Sequence, residues 1–218
     1  MQLYVVRHGI AVEGSEGTPD GSRPLTEKGR RRFQRTARAF GKLGHKLDLI
    51  LTSPLVRAVQ TAEILAGATK HGGVGVLEEL GAGFDAATLR TALVARAGDT
   101  AAVAIVGHEP QLSSFLSALC GVPQAGIDLK KGAIVRLDAA TLADGAEVDP
   151  RWWLKPKGTR VKGLPLQKQA GKSDSPRKGA RSTRARRAAA GRRPGKNARS
   201  RPARAPDLPA GPGATASP

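Results

Sequence analysis

The sequence predicts an α/β fold of three layers, α/β/α, with a mostly parallel central sheet and a disordered, basic C-terminal tail. Three observations carry this. Apolar β-prone runs alternate with segments of helical spacing, which places helices between parallel strands. Three of those runs end in polar stretches of one kind. Leu3-Tyr4-Val5-Val6 leads into Arg7-His8-Gly9, Ile50-Leu51-Thr52 into Ser53-Pro54-Leu55-Val56-Arg57, and Ala104-Ile105-Val106 into Gly107-His108-Glu109-Pro110. Finally, composition and charge change abruptly near residue 163.

The first strand is apolar throughout, as a strand buried on both faces should be. Residues 11–24 are rich in Gly, Ser, Pro and charge and read as a loop beside a pocket mouth. Thr26 is a good helix N-cap. Phe33, Ala37 and Phe40 follow at helical spacing, and Gly41 and Gly44 suggest the end. Arg30, Arg31, Arg32, Arg35 and Arg38 read first as a solvated face; the sharper reading is a positive rim that attracts an acidic or phosphorylated protein.

Residues 48–52 form the second strand. Ser53 suits an N-cap and Pro54 the first helical position, with Arg57 in the first turn of a helix that continues through Val59, Ala62 and Leu65. Residues 74–77 read as a short strand, followed by Glu78 and Glu79. Asp85 caps a helix that buries Leu89 and Leu93. Residues 101–106 are the most strand-like run, and Leu112, Phe115, Leu116 and Leu119 follow at helical spacing. Residues 132–137 and 151–154 are the remaining strands.

Ligands in open α/β sheets bind at the carboxyl ends of strands. If the three motif-bearing strands are neighbours, Arg7, His8, Arg57 and His108 converge on one pocket. Two fixed cations and two imidazoles suit a phosphoryl group, and the N-terminus of a helix adds to the anion site.

The three motifs, in order and each at a strand end, resemble the signatures of the histidine phosphatase superfamily, the phosphoglycerate mutase-like proteins. The spacing and short length are most similar to the small bacterial phosphohistidine phosphatases. The resemblance covers roughly residues 1–155. It implies a catalytic His8 that forms a covalent phosphohistidine, with Arg7, Arg57 and His108 binding the phosphoryl oxygens. In the wider family a Glu after the third strand supplies a proton; Glu79 lies nearest that pattern, and Glu78 is the fallback. The first motif lacks the continuation to Asn seen in mutases, and the segment that would recognise a sugar phosphate is short. Both departures weigh against mutase activity. The expected function is a phosphatase for a histidine-phosphorylated protein, such as a phosphotransfer domain; the alternative is one for small phosphomonoesters.

The chemistry supports those roles independently. A neutral imidazole is a capable nucleophile near neutrality, and a guanidinium stays charged and can bind two oxygens at once. A metal would lie beside two guanidinium groups with no carboxylate or thiol cluster to offset them. No metal and no cofactor are expected. His45 and His71 stand outside any motif and read as surface residues.

The net charge of +18 on 218 residues is uneven. Residues 1–162, the expected histidine phosphatase domain, hold 22 Lys/Arg and 16 Asp/Glu; residues 163–218 hold 14 and 2. The latter stretch has no aromatic residue and Leu164, Leu166 and Leu208 as its only large aliphatics, too little apolar surface to offset ordering entropy. It either contacts nucleic acid or an anionic surface through unspecific charge or is simply solvated. Cys120, the only cysteine, excludes an intramolecular disulfide and reads as a core residue. No apolar run approaches the ~20 residues of a membrane span, and the first is broken at Arg7, unlike a signal peptide. A cytoplasmic monomer is expected.

Overall fold

The structure, a computed structural model, describes residues 1–143 and 145–166. Its elements in chain order are β1 (Gln2–Arg7), α1 (Glu27–Gly41), β2 (Leu49–Thr52), α2 (Val56–Thr69), β3 (Gly75–Val76), α3 (Ala86–Ala97), β4 (Ala102–Gly107), α4 (Gln111–Cys120), β5 (Ile134–Ala139), β6 (Val148–Leu154) and β7 (Arg160–Lys162). Short 3-10 turns cover Asp20–Ser22, Glu78–Leu80 and Gln124–Gly126.

One sheet orders the strands β3-β2-β4-β1-β5-β6-β7. The period-two alternation of strands decides which side chains meet which helices. Leu3, Val5, Val103 and Ile105 face one way and pack with Leu89 and Leu93 of α3 and Leu112, Phe115 and Leu116 of α4. Tyr4, Val6, Ala104 and Val106 face the other way and pack with Phe33, Ala37 and Phe40 of α1 and Ala58, Ala62 and Leu65 of α2. The expected three layers follow from this split. Both predicted caps on α1 and α3 are present: Gly29 N–H donates to Thr26 Oγ1 at 2.9 Å and Thr88 N–H to Asp85 Oδ1 at 2.7 Å.

The sheet is mixed rather than parallel throughout. β3, β2, β4 and β1 pair in parallel, whereas β5, β6 and β7 are antiparallel additions. β5, β6 and β7 follow one another with no intervening helix, so each reverses direction on its neighbour.

Residues 163–166, just past the expected boundary at 162, bond to the rest of the described chain. Gly163 N–H donates to Arg151 O at 3.1 Å, Asp128 N–H donates to Pro165 O at 2.6 Å, and Leu166 bridges Ile127. Leu164 packs against the core. The rest of the predicted tail, from residue 167, lies outside the described residues. Among the described residues no helix is long and apolar enough to cross a membrane.

Candidate active site

Strand register brings the motifs together. Arg7 pairs with Gly107, and Thr52 with Val106, so the residues just past each strand share one rim. The ladder continues there: His8 N–H donates to Gly107 O at 3.1 Å and Ser53 N–H to Val106 O at 3.0 Å. The His8 and His108 rings lie 4.9 Å apart between centroids. Both are buried, as is Arg57. Thus Arg7, His8, Arg57 and His108, distant in sequence, meet at the carboxyl ends of β1, β2 and β4.

Main chain and helix α2 hold His8 in place. Gly9 N–H donates to Thr61 Oγ1 at 3.0 Å, and Thr61 Oγ1–H donates in turn to Arg57 O at 2.7 Å. Leu25 N–H donates to Gln60 Oε1 at 2.8 Å. The Gln60-Thr61 pair therefore ties the loop after β1 to the helix that carries Arg57. His8 Nδ1 lies 2.6 Å from Gly9 O. A carbonyl can only accept, so Nδ1 carries the proton and Nε2 keeps its lone pair.

Ser53 has a different role from the one expected. α2 starts at Val56, not at Pro54, and its N-cap residue Leu55 makes no side-chain cap. Ser53 Oγ instead accepts Leu55 N–H at 3.2 Å and lies 2.7 Å from His108 Nε2. In the tautomer whose Nε2 accepts the Ser53 hydroxyl hydrogen, the His108 proton sits on Nδ1.

The guanidinium groups are held at their far ends. Arg7 Nη1 donates to Leu129 O at 2.7 Å. Arg57 Nη1 donates to Asp20 O at 2.7 Å and Nη2 to Asp20 Oδ2 at 2.8 Å. Asp20 also pairs with Arg23. The two cations, Arg57 first, hold its carboxyl below the usual range. Within the four site residues, three buried nitrogens are without a partner among the described residues: Arg7 Nε, Arg57 Nε and His108 Nδ1. Unpaired buried donors cost ~1–3 kcal/mol each. Unpartnered nitrogens on three residues of one rim fit an acceptor with several oxygens, such as a phosphoryl group.

Burial, then His108, then Arg57 and Arg7 push His8 down to about 3 against the help of its bond to Gly9. Burial and then Arg57 push His108 down to about 4. Both imidazoles are therefore neutral near pH 7. Histidine signals followed by NMR in phosphate-free buffer are expected to show neither ring protonating above about pH 5; midpoints near 6.5 would contradict this. The unfolded chain binds protons below its imidazole pKa of ~6.5 while these two rings do not, so stability is present above that pH and lost on acidification. Between pH 6.5 and 5 the loss is ~2 kcal/mol per ring.

Glu79 and Glu78 lie in the 3-10 turn after β3. The turn flanks the site, because Leu80 O approaches Gly107 and Gly81 packs on Pro54. No hydrogen bond or ion pair among the described residues ties either carboxylate to the four site residues. Another carboxylate lies closer in sequence. Glu109 is half-buried and accepts from Ser113 Oγ, its Oε1 has no partner, and burial raises its pKa.

Sequence reasoning missed Asp20 and Ser53, which act through contacts across the fold. Only the position of Ser53 inside the second motif could have marked it. His45 is not the surface residue expected: its ring stacks on Trp152 with centroids 5.7 Å apart and 29° between planes, and burial lowers its pKa. His71 closes its own turn, 2.7 Å from Gly73 O. Cys120 ends α4 half-buried against the core, which pushes its thiol up to about 11.

Residues 3–81 match the family model of the histidine phosphatase superfamily (branch 1). An uncharacterised protein of Picosynechococcus sp. (strain ATCC 27264 / PCC 7002 / PR-6) is 37% identical over 164 residues, 71% of this chain and 99% of that protein. Among solved structures, the protein histidine phosphatase SixA complexed with tungstate matches with a TM-score of 0.63 at 24% identity, over 72% of this chain and 97% of the other. A mycobacterial glucosyl-3-phosphoglycerate phosphatase with inorganic phosphate matches at 0.55 and 20%, over 72% and 99%. These likenesses in fold agree with motifs that share one rim and a site that suits an oxyanion: this chain belongs to the histidine phosphatase superfamily.

Proposed function

We propose that this chain is a phosphatase acting on protein phosphohistidine. The observation that carries the reading is three unpartnered buried nitrogens on Arg7, Arg57 and His108, together with His8 and His108 rings 4.9 Å apart. In the proposed reaction, Arg7, Arg57 and His108 Nδ1 take the phosphoryl oxygens. The His8 Nε2 lone pair attacks phosphorus in line as the bond to the substrate nitrogen breaks. The departing imidazole keeps the bonding electron pair and takes a proton from solvent water, and His8 becomes a phosphohistidine. Water then attacks phosphorus, releases phosphate and returns the electron pair to Nε2.

Phosphatase action on small phosphomonoesters is the second reading, supported by the fold shared with the glucosyl-3-phosphoglycerate phosphatase. Glu79 is the proposed proton donor and separates the two. An imidazole leaves readily, whereas an alkoxide must be protonated as it departs. Glu79→Gln is therefore expected to slow ester hydrolysis by ~10²-fold or more while leaving phosphohistidine hydrolysis within about tenfold. Equal losses on both substrates would contradict that role. The function itself is tested by phosphate release from a histidine-phosphorylated phosphotransfer domain beside a panel of small esters. Strong preference for one ester would replace the first reading with the second. A nucleic-acid or anionic-surface role for the basic tail is a separate proposal that rests on its charge, tested by binding of duplex DNA against salt.

A further inference from the structure

A second feature that the proposed reaction does not use borders the candidate site at Arg7. A groove of about 1050 Å³ starts at Arg7 and is lined by Arg32, Lys130, Lys131, Lys155 and Lys157, with Asp128 as its only carboxylate. Lys130 is paired with Asp128 at 2.7 Å. Arg32, Lys131, Lys155 and Lys157 form no ion pair with a carboxylate among the described residues, and the three lysines are exposed. Like charges collected in a concave surface raise the potential there and draw in acidic ligands.

The groove is fixed to the site at two points. The loop carrying Lys130 and Lys131 is bound to β1: Arg7 Nη1 donates to Leu129 O, and Gly132 N–H is shared between Arg7 O and His8 O. The turn carrying Lys155 and Lys157 is bound to α1, where Lys157 N–H donates to Thr36 Oγ1 at 3.0 Å. Gly158 N–H closes this turn on Lys155 O at 2.8 Å, with Pro156 in second place. Third place in such a turn calls for positive φ and favours glycine. Lys157 occupies it at φ 86°. A lysine held in a conformation that a glycine would adopt more cheaply points to a use for its side chain.

Resting on the phosphohistidine reading, we propose that this groove docks the acidic surface around the phosphohistidine of a partner protein. The occupant follows from charge. The chain leaves the groove rim at Leu166, and residues 167–218 carry 14 Lys/Arg against 2 Asp/Glu. The charge of those residues does not complement the groove, and neither does that of a second copy of a chain with net charge +18. Single-stranded nucleic acid is disfavoured because the one aromatic side chain in the lining, Trp153, is only 9% exposed and offers no stacking face; duplex is an outcome of the test below.

The test uses the full chain, an acidic phosphotransfer domain phosphorylated on histidine, and p-nitrophenyl phosphate. Lys131→Glu/Lys155→Glu/Lys157→Glu is expected to lower kcat/KM on the phosphoprotein by ~10–100-fold, mainly through KM, with the ester within about twofold. Raising the salt should reproduce the loss in the wild type. Lys157→Gly alone is expected to keep or raise Tm while weakening only the phosphoprotein reaction. Wild type that dephosphorylates the protein with the triple variant unimpaired would overturn the groove and keep the proposed function. Wild type that binds the domain through these lysines but leaves its phosphate in place would overturn the function and keep the groove. Tighter binding of duplex DNA than of the domain, lost in the same variant, would reassign the surface and overturn the proposal.

Discussion

His8→Ala is expected to lower phosphatase activity by on the order of 10⁴-fold or more, with the fold intact. The size follows from the path the reaction takes. With Nε2 gone, no covalent intermediate forms, and the remaining donors can only bind the phosphoryl group. Near pH 7 the buried ring is neutral and bonded to Gly9 O, so its removal should cost some stability there, while the loss of stability on acidification should shrink. Kinetics on the purified variant beside a thermal melt check both. A variant within tenfold of wild type would remove His8 from the reaction.

Gly29→Ala should have the largest effect on the fold. Gly29 lies in the first turn of α1, where a Cβ would come within 2.0 Å of the carbonyl oxygen of Ile10. That oxygen cannot move freely, because it accepts Thr26 N–H at 2.9 Å and lies two residues from His8. The helix must therefore shift away from the nucleophile loop. We expect a loss of ~3 kcal/mol or more by denaturant unfolding and reduced activity in whatever remains folded. A Tm within two degrees or so of wild type would show that α1 does not press on the loop as described.

The parts of this molecule that sequence made legible are those with a local cause. Leu3-Tyr4-Val5-Val6 and Ala104-Ile105-Val106 are apolar throughout because both sheet faces are covered by helices. Thr26 and Asp85 cap because their oxygens reach a backbone N–H three residues on. Arg7, His8, Arg57 and His108 were legible because each stands at a strand end or in the helix turn that follows one. What sequence hid has causes far along the chain. Asp20 matters only because a loop folds it onto Arg57, 37 residues away. Ser53 looked like a cap, yet its hydroxyl is taken by His108, 55 residues away. β7 is three residues long and mostly exposed, with little apolar pattern to betray it. The continuation to Leu166 depends on contacts with Ile127, Asp128 and Arg151, none of them near it in sequence.

The central claim is that four side chains bring one phosphoryl group onto His8 Nε2. It is tested most directly by quenching the wild-type reaction under mild alkali, where phosphohistidine survives, and locating the phosphate by mass spectrometry. The account predicts one phosphate on the peptide that contains His8, absent from His8→Ala and formed more slowly in Arg57→Ala. Turnover that continues with no phosphate on that peptide at any time, or with phosphate on His108 instead, would contradict it.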